Sequence, residues 1–145
     1  MMPGWLERLI GRFRRPVRPG DAAWTRWFGG RGEREAARHL RRKGMRIITQ
    51  GYRTARGEID LIARDGPLLV FVEVKTRRRG EPARAVTPAK QKRVVLAAYE
   101  FLHRHRIPAT QGCRYDVVAI VWPDGEGPPE IEHFADAFRP GPRFG

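Results

Sequence analysis

The stretch Leu68-Leu69-Val70-Phe71-Val72-Glu73-Val74-Lys75-Thr76 constrains this chain more than any other. Its density of Val, Leu and Phe marks a strand, whose side chains alternate between the two faces of a sheet. Leu68, Val70, Val72 and Val74 make one face wholly aliphatic. Leu69 and Phe71 begin the other, which ends in an acid and a base, Glu73 and Lys75. Apolar residues on both sides are the mark of a strand covered on both faces. A charged pair finishing such a strand breaks the local rule, and such breaks concentrate at functional sites.

Met45–Tyr52 and Gly57–Arg64 are similarly rich in Ile, Leu and Tyr, so three consecutive strands are expected. Arg64-Asp65-Gly66-Pro67 is the strongest turn signal in the chain and predicts an antiparallel hairpin. With Asp65-Gly66 as a two-residue turn, Ile62 faces Leu69 and Asp60 faces Phe71. Asp60 then shares the face of Glu73 as a diagonal neighbour, with Cβ atoms roughly 7 Å apart. A loop one residue longer would reverse that parity unless a bulge restored it.

Helical spacing appears twice. Gly32–Lys43 carries Ala36, Ala37 and Leu40 on one face, with Gly44 placed to end the helix. Glu33 is in register with that stripe and so faces the interior or a cleft, where an unpartnered carboxylate is costly. The second helix opens at Pro88 and runs towards Arg104, with Val94, Val95, Ala98, Phe101 and Leu102 as its apolar stripe and Gln91 on the same side. Arg77–Thr87 reads as a basic loop, Arg114–Trp122 as another strand and Glu130–Phe134 as a short one. The expected fold class is α/β, a mixed sheet of four to five strands flanked by two main helices.

At 145 residues one domain is expected, here residues 29–138, with a basic extension at 1–28 and a tail at 139–145. In the extension Trp5, Leu6, Leu9, Ile10 and Phe13 fall on one helical stripe among arginines, which suits a membrane-surface or DNA-contacting helix, or a poorly ordered arm with docked aromatics. No apolar run approaches the roughly 18 residues of a membrane span, and Glu7, Arg8 and Arg12 interrupt any signal-peptide core. The single cysteine, Cys113, excludes an intrachain disulfide and a multi-cysteine zinc site, and fits the reducing cytoplasm. Lys and Arg number 29 against 16 Asp and Glu, a net charge of +13. That field attracts polyanions, nucleic acid first and acidic membrane surfaces second.

Two carboxylates projecting together repel, and at neutral pH a divalent cation with oxygen ligands resolves the conflict at least cost. Mg²⁺ is the expected ion, with Mn²⁺ as a substitute. The Val74 carbonyl could add a ligand. Lys75 beside the ion would orient a water, favour hydroxide and stabilise charge on a phosphate. These are the parts that phosphodiester hydrolysis needs. The bland alternative is a surface ion pair between Glu73 and Lys75, with Asp60 a solvated hairpin residue.

Gly57-Glu58-Ile59-Asp60-Leu61-Ile62-Ala63 followed by Phe71-Val72-Glu73-Val74-Lys75-Thr76-Arg77 closely resembles the YraN family of bacterial proteins. The resemblance continues in Gly32-Glu33, Tyr52-Arg53, Lys90-Gln91, Arg114-Tyr115-Asp116 and Ala137-Phe138, and covers about Gly29 to Phe138. That family looks like a branch of the PD-(D/E)XK nucleases near the archaeal Holliday-junction resolvases. The resemblance implies a metal-dependent endonuclease with Asp60, Glu73 and Lys75 as its motif and Glu33 as the acid carried on the first helix. Ile59-Asp60 replaces the motif's proline-aspartate pair. Many relatives have asparagine before Tyr-Arg, where this chain has Gln50-Gly51.

Asp60, Glu73 and Glu33 are thus the expected metal ligands, and Lys75 and Gln91 the other catalytic candidates. Gln91 either hydrogen-bonds Lys75 or a water, or is satisfied by backbone. Arg77, Arg78, Arg79, Lys90, Lys92 and Arg93 are the expected nucleic-acid contacts, reading backbone and shape rather than bases. Arg84 belongs with the basic loop. Asp116 is expected to pair with an arginine such as Arg53, Glu58 to be a hairpin-edge charge, and His39, His103, His105 and His133 to lie at the surface. DNA is preferred over RNA, branched or damaged DNA by analogy, and a symmetric junction would favour a homodimer. The alternatives are a non-catalytic nucleic-acid-binding module on the nuclease fold, and a membrane-surface protein held by the N-terminal helix.

Overall fold

Ala36, Ala37 and Leu40 recur at helical spacing and are fully buried, and the helix they build, α1, spans Arg31–Arg42. It ends where Gly44 adopts a φ of +92°, a left-handed conformation glycine reaches at little cost. The chain then forms β1 (Arg46–Arg53), β2 (Glu58–Asp65), β3 (Leu68–Arg78), α2 (Pro88–Arg104), β4 (Cys113–Trp122) and β5 (Glu130–Phe138). This computed structural model describes residues 30–78, 86–108, 111–123 and 127–140. The extension at 1–28, Arg79, Arg84, the side chain of Arg78 and residues 141–145 lie outside the described residues.

The five strands form one sheet in the order β1-β2-β3-β4-β5. β3 and β4 are parallel, and the other three pairings are antiparallel. Parallel neighbours need a crossover, and α2 lies within the one that joins them. The helices are found in the clusters on opposite faces of the sheet. Leu61, Ala63, Val70, Val72, Val118 and Ile120 cluster with α1, while Ile62, Leu69, Phe71, Tyr115 and Val117 cluster with α2. The near-continuous apolar run of β3 is the consequence, because its side chains are covered on both sides. At its middle, Phe71 meets Phe101 edge-on at 6.1 Å and stacks on Tyr115 at 5.5 Å.

The hairpin register differs from the sequence expectation. Asp65 pairs with Leu68, so the turn residues are Gly66-Pro67 rather than Asp65-Gly66. Gly66 has a φ of +56° and proline holds φ near −65°, the sign pattern of a type II′ turn, whose twist suits a hairpin. The shift amounts to two residues, so the faces are unchanged. Its effect is to move Asp60 from a diagonal position to one directly opposite Glu73 when the ladder is continued past Leu61↔Val72.

Two strands run further than expected. β3 continues through Arg77 and Arg78, residues read from sequence as loop, because β4 pairs with it as far as Arg78↔Trp122. β5 continues to Phe138 because a bulge absorbs extra residues between Phe134 and Phe138, with Asp136 at a φ of +54°. Gly51 has a φ of +62°. Glycine and asparagine are the residues that visit this region most readily.

Candidate metal-binding and catalytic site

The β2–β3 ladder ends at the rung Leu61↔Val72. One residue further on, the side chain of Asp60 takes over from backbone pairing: its Oδ2 accepts a 2.8 Å hydrogen bond from the Val74 N–H. In an antiparallel ladder a residue's N–H and C=O face the same neighbour. The Val74 carbonyl is therefore on Asp60's side of β3.

Two glycines bring the surrounding elements close. A β-carbon on Gly57 would lie 1.9 Å from the Arg93 carbonyl oxygen, so the start of β2 reaches α2 only because no side chain intervenes. A β-carbon on Gly32 would lie 2.3 Å from Cγ2 of Thr76, which brings the first turn of α1 down on the far end of β3. Thr54 ties the tight link before Gly57, its hydroxyl accepting from the N–H groups of Arg56 and Gly57.

Glu73 is almost wholly buried. The Lys90 ammonium stands 2.8 Å from its Oε1. That oxygen receives no well-directed hydrogen bond, so the contact is an oblique ion pair. Asp60 is pushed up to about 7, first by burial and then by repulsion from Glu73. The Val74 hydrogen bond and the Lys90 charge oppose the rise, while a hydrogen bond between the two carboxyl groups adds to it. Asp60 therefore keeps its proton towards neutral pH. Glu33, in the first turn of α1, is also raised, by burial above all, with repulsion from Asp60 contributing.

Lys75 is half-buried two residues beyond Glu73, roughly 7 Å along the strand, and lies opposite Ala119 of β4. The structure thus brings Asp60 and Glu73 together, with Glu33 within electrostatic reach and Lys75 on the same strand. Among the described residues no three His, Cys, Asp or Glu side chains close into a ligand cluster, so Glu33 stops short of a third ligand in this conformation. The donor set still fits a small hard cation, being all oxygen and doubly acidic, with Glu73 buried.

Other sequence candidates fall out differently. Gln91 donates from Nε2 to the Val86 carbonyl at 3.0 Å, the backbone alternative. Lys90, counted from sequence among the nucleic-acid contacts, stands on Glu73, because it sits in the first turn of α2 facing the carboxylate. Lys92 and Arg93 are exposed and Arg77 is half-buried. Glu58 lies 3.5 Å from Arg53 and 4.0 Å from Arg93, which gathers two guanidinium groups beside Asp60.

Asp116 does pair with an arginine, but with Arg114 rather than Arg53, because sheet order puts β2 and β3 between β1 and β4. Arg114 holds it with two bonds of 2.8 and 2.9 Å, and also reaches Asp65 at 2.9 Å. Asp116 accepts from the Asp136 N–H at 3.0 Å, so it organises the β5 bulge. His133 is not a surface residue: its side chain is 2% exposed, with Nε2 2.7 Å from Asp116 and Nδ1 2.6 Å from the Lys43 ammonium. His105 is also partly covered, its ring 4.6 Å from that of Phe101. Sequence carried one unused signal for this cluster, since Arg114 and Asp116 share a strand face at i, i+2.

A mixed five-stranded sheet with a helix in each of two clusters on opposite faces, and a pair of acids, one buried and one half-buried, where two strands part, defines an α/β protein with a candidate cation site. The chain belongs to the Uncharacterised protein family UPF0102, whose model matches residues 32–120 and which is the YraN family that the motifs resemble. A UPF0102 protein of Anaeromyxobacter dehalogenans is 44% identical over 129 residues, covering 84% of this chain and 94% of its own length. One of Rhodococcus opacus is 52% identical over 115 residues, covering 77% and 95%. One of Alkalilimnicola ehrlichii is 43% identical over 123 residues, covering 83% and 93%. No helix among the described residues is long and apolar enough to cross a membrane.

Proposed function

We propose that this protein is a divalent-metal-dependent endonuclease acting on DNA. The observation that carries the reading is the half-buried Asp60 in direct contact with the buried Glu73, with Asp60 pushed up to about 7 inside a chain of net charge +13. Buried like charges cost folding energy, and a fold retains them where a ligand repays that cost. A polycation with no metal chemistry has no evident use for paired acids facing a polyanion.

Asp60 and Glu73 would hold Mg²⁺ or Mn²⁺, with the Val74 carbonyl on the same edge and Glu33 acting on the ion's water shell. The ion would supply Lewis acidity at a phosphate oxygen and a more acidic water. Lys75 orients that water and stabilises developing negative charge. Glu58 keeps Arg53 and Arg93 beside the site, where they and Lys92 position neighbouring phosphates without reading bases. Branched or damaged DNA is the proposed substrate class, a twofold junction being matched by a second copy of the chain. The single cysteine fits the cytoplasm.

Cleavage of fluorescent linear, flapped and four-way DNA with Mg²⁺ or Mn²⁺ tests this reading. Wild type is expected to cut at least one substrate only with metal, while Asp60→Ala and Lys75→Ala do not. Salt-sensitive binding by all three proteins with no cutting under either metal would instead establish a non-catalytic binding module, the second reading, which the charge alone favours.

A further inference from the structure

Lys90 occupies an unusual place. Thr87 caps α2, accepting from the Lys90 N–H at 3.2 Å, and Pro88 follows it as the first helical residue. Lys90 is therefore third in the helix, the position where capping boxes place Glu or Gln. No acidic residue lies in this first turn, and a cation there opposes the positive end of the helix dipole. Something outside the helix must compensate, and Glu73 does, at 2.8 Å. The two ends of this ion pair are also unequal: the Glu73 side chain is 2% exposed and that of Lys90 50%. The carboxylate is fixed in the interior, whereas the ammonium stands at the mouth of the site on a flexible four-carbon stem.

We propose that Lys90 is a resident counter-ion which fills the cation position at Glu73 and Asp60 until a divalent ion displaces it, after which the freed ammonium engages a substrate phosphate. This inference rests on the metal-site reading of the carboxylate pair. The oblique approach of Nζ suits a displaceable occupant, since it leaves Glu73 Oε1 without a directed donor. Lys90 brings one positive charge to the two acids, too little to hold both of them ionised. A divalent ion neutralises the acids fully and frees a positive charge at the entrance. Binding of ion and polyanion would thereby be coupled through one side chain.

The test is Mn²⁺ binding to the full chain, followed by calorimetry and electron paramagnetic resonance, in wild type, Lys90→Met and Lys90→Arg. Removing the competing charge is expected to tighten Mn²⁺ binding about tenfold in Lys90→Met, a screened single-charge effect, and Lys90→Arg is expected not to gain. In wild type carrying ¹³C-labelled lysine, adding Mg²⁺ is expected to shift the Lys90 ε-methylene resonance, assigned by its loss in Lys90→Met. Equal Mn²⁺ affinity in wild type and Lys90→Met, or a Lys90 resonance unmoved by saturating Mg²⁺, overturns the displacement while leaving the metal site standing. Absence of Mn²⁺ binding in all three proteins removes the metal site and the displacement together.

Discussion

Asp60→Asn should stabilise the metal-free protein, and only above a certain pH. An Asp carboxyl raised from its ordinary 3.8 to about 7 prefers to be neutral in the folded state. Stability from this group is therefore fully present below about pH 4 and is lost as pH rises through 7. The full loss corresponds to about 4 kcal/mol at 1.36 kcal/mol per tenfold change. Allowing for solvent at the parted strand ends and for the Val74 hydrogen bond, which Asn can still accept, about 2 kcal/mol remains. For a domain of this size that is a rise in Tm of roughly 4–8 °C. Urea and thermal unfolding of wild type and Asp60→Asn in EDTA, from pH 4.5 to 8.5, would show the two proteins converging at the acid end, diverging as pH rises towards 7 and keeping a constant offset above it. An offset independent of pH, or an Asn variant less stable at pH 8, would refute the idea that the carboxylate pair is a stored electrostatic conflict.

Asp116→Asn should cost about 3–5 kcal/mol in urea unfolding, because it leaves the Arg114 guanidinium without its fully buried partner. Asp116 is held below the ordinary carboxylate range, with Arg114, the Asp136 N–H and His133 outweighing burial, so its contribution is present at neutral pH and lost as the solution is acidified through that lowered value. Mn²⁺ binding by folded Asp116→Asn should match wild type, since β5 and not the acid pair depends on it. Gly57→Ala should lower Tm by the equivalent of about 3 kcal/mol or more and weaken Mn²⁺ binding, as the new methyl pushes β2 off the Arg93 backbone. At Gly51, with its φ of +62°, Asn should cost under about 1 kcal/mol and Val about 1–2 kcal/mol, measured by the same denaturation.

The acid pair was legible because strand alternation is a local geometric fact. An error of two residues in the turn left Asp60 and Glu73 on one face, since parity survives any even shift. A one-residue error would have lost the site. For Asp116 the sequence points to an arginine but not to Arg114, because composition says that a buried carboxylate needs a cation but not which strand supplies it.

The sequence by itself determined the elements, their buried faces, the helix ends at Gly44 and Pro88, and the odd acids on an apolar strand. Periodicity, caps and turn residues act within a few positions, so they can be read without knowing the fold. Only the tertiary structure decided that Lys90 meets Glu73 across the β3–β4 crossover, that Gly57 lets β2 touch α2, and that His133 closes over Asp116 from the far edge of the sheet. Each of these joins residues on different elements whose separation depends on strand order and helix placement, quantities set by burial over the whole chain.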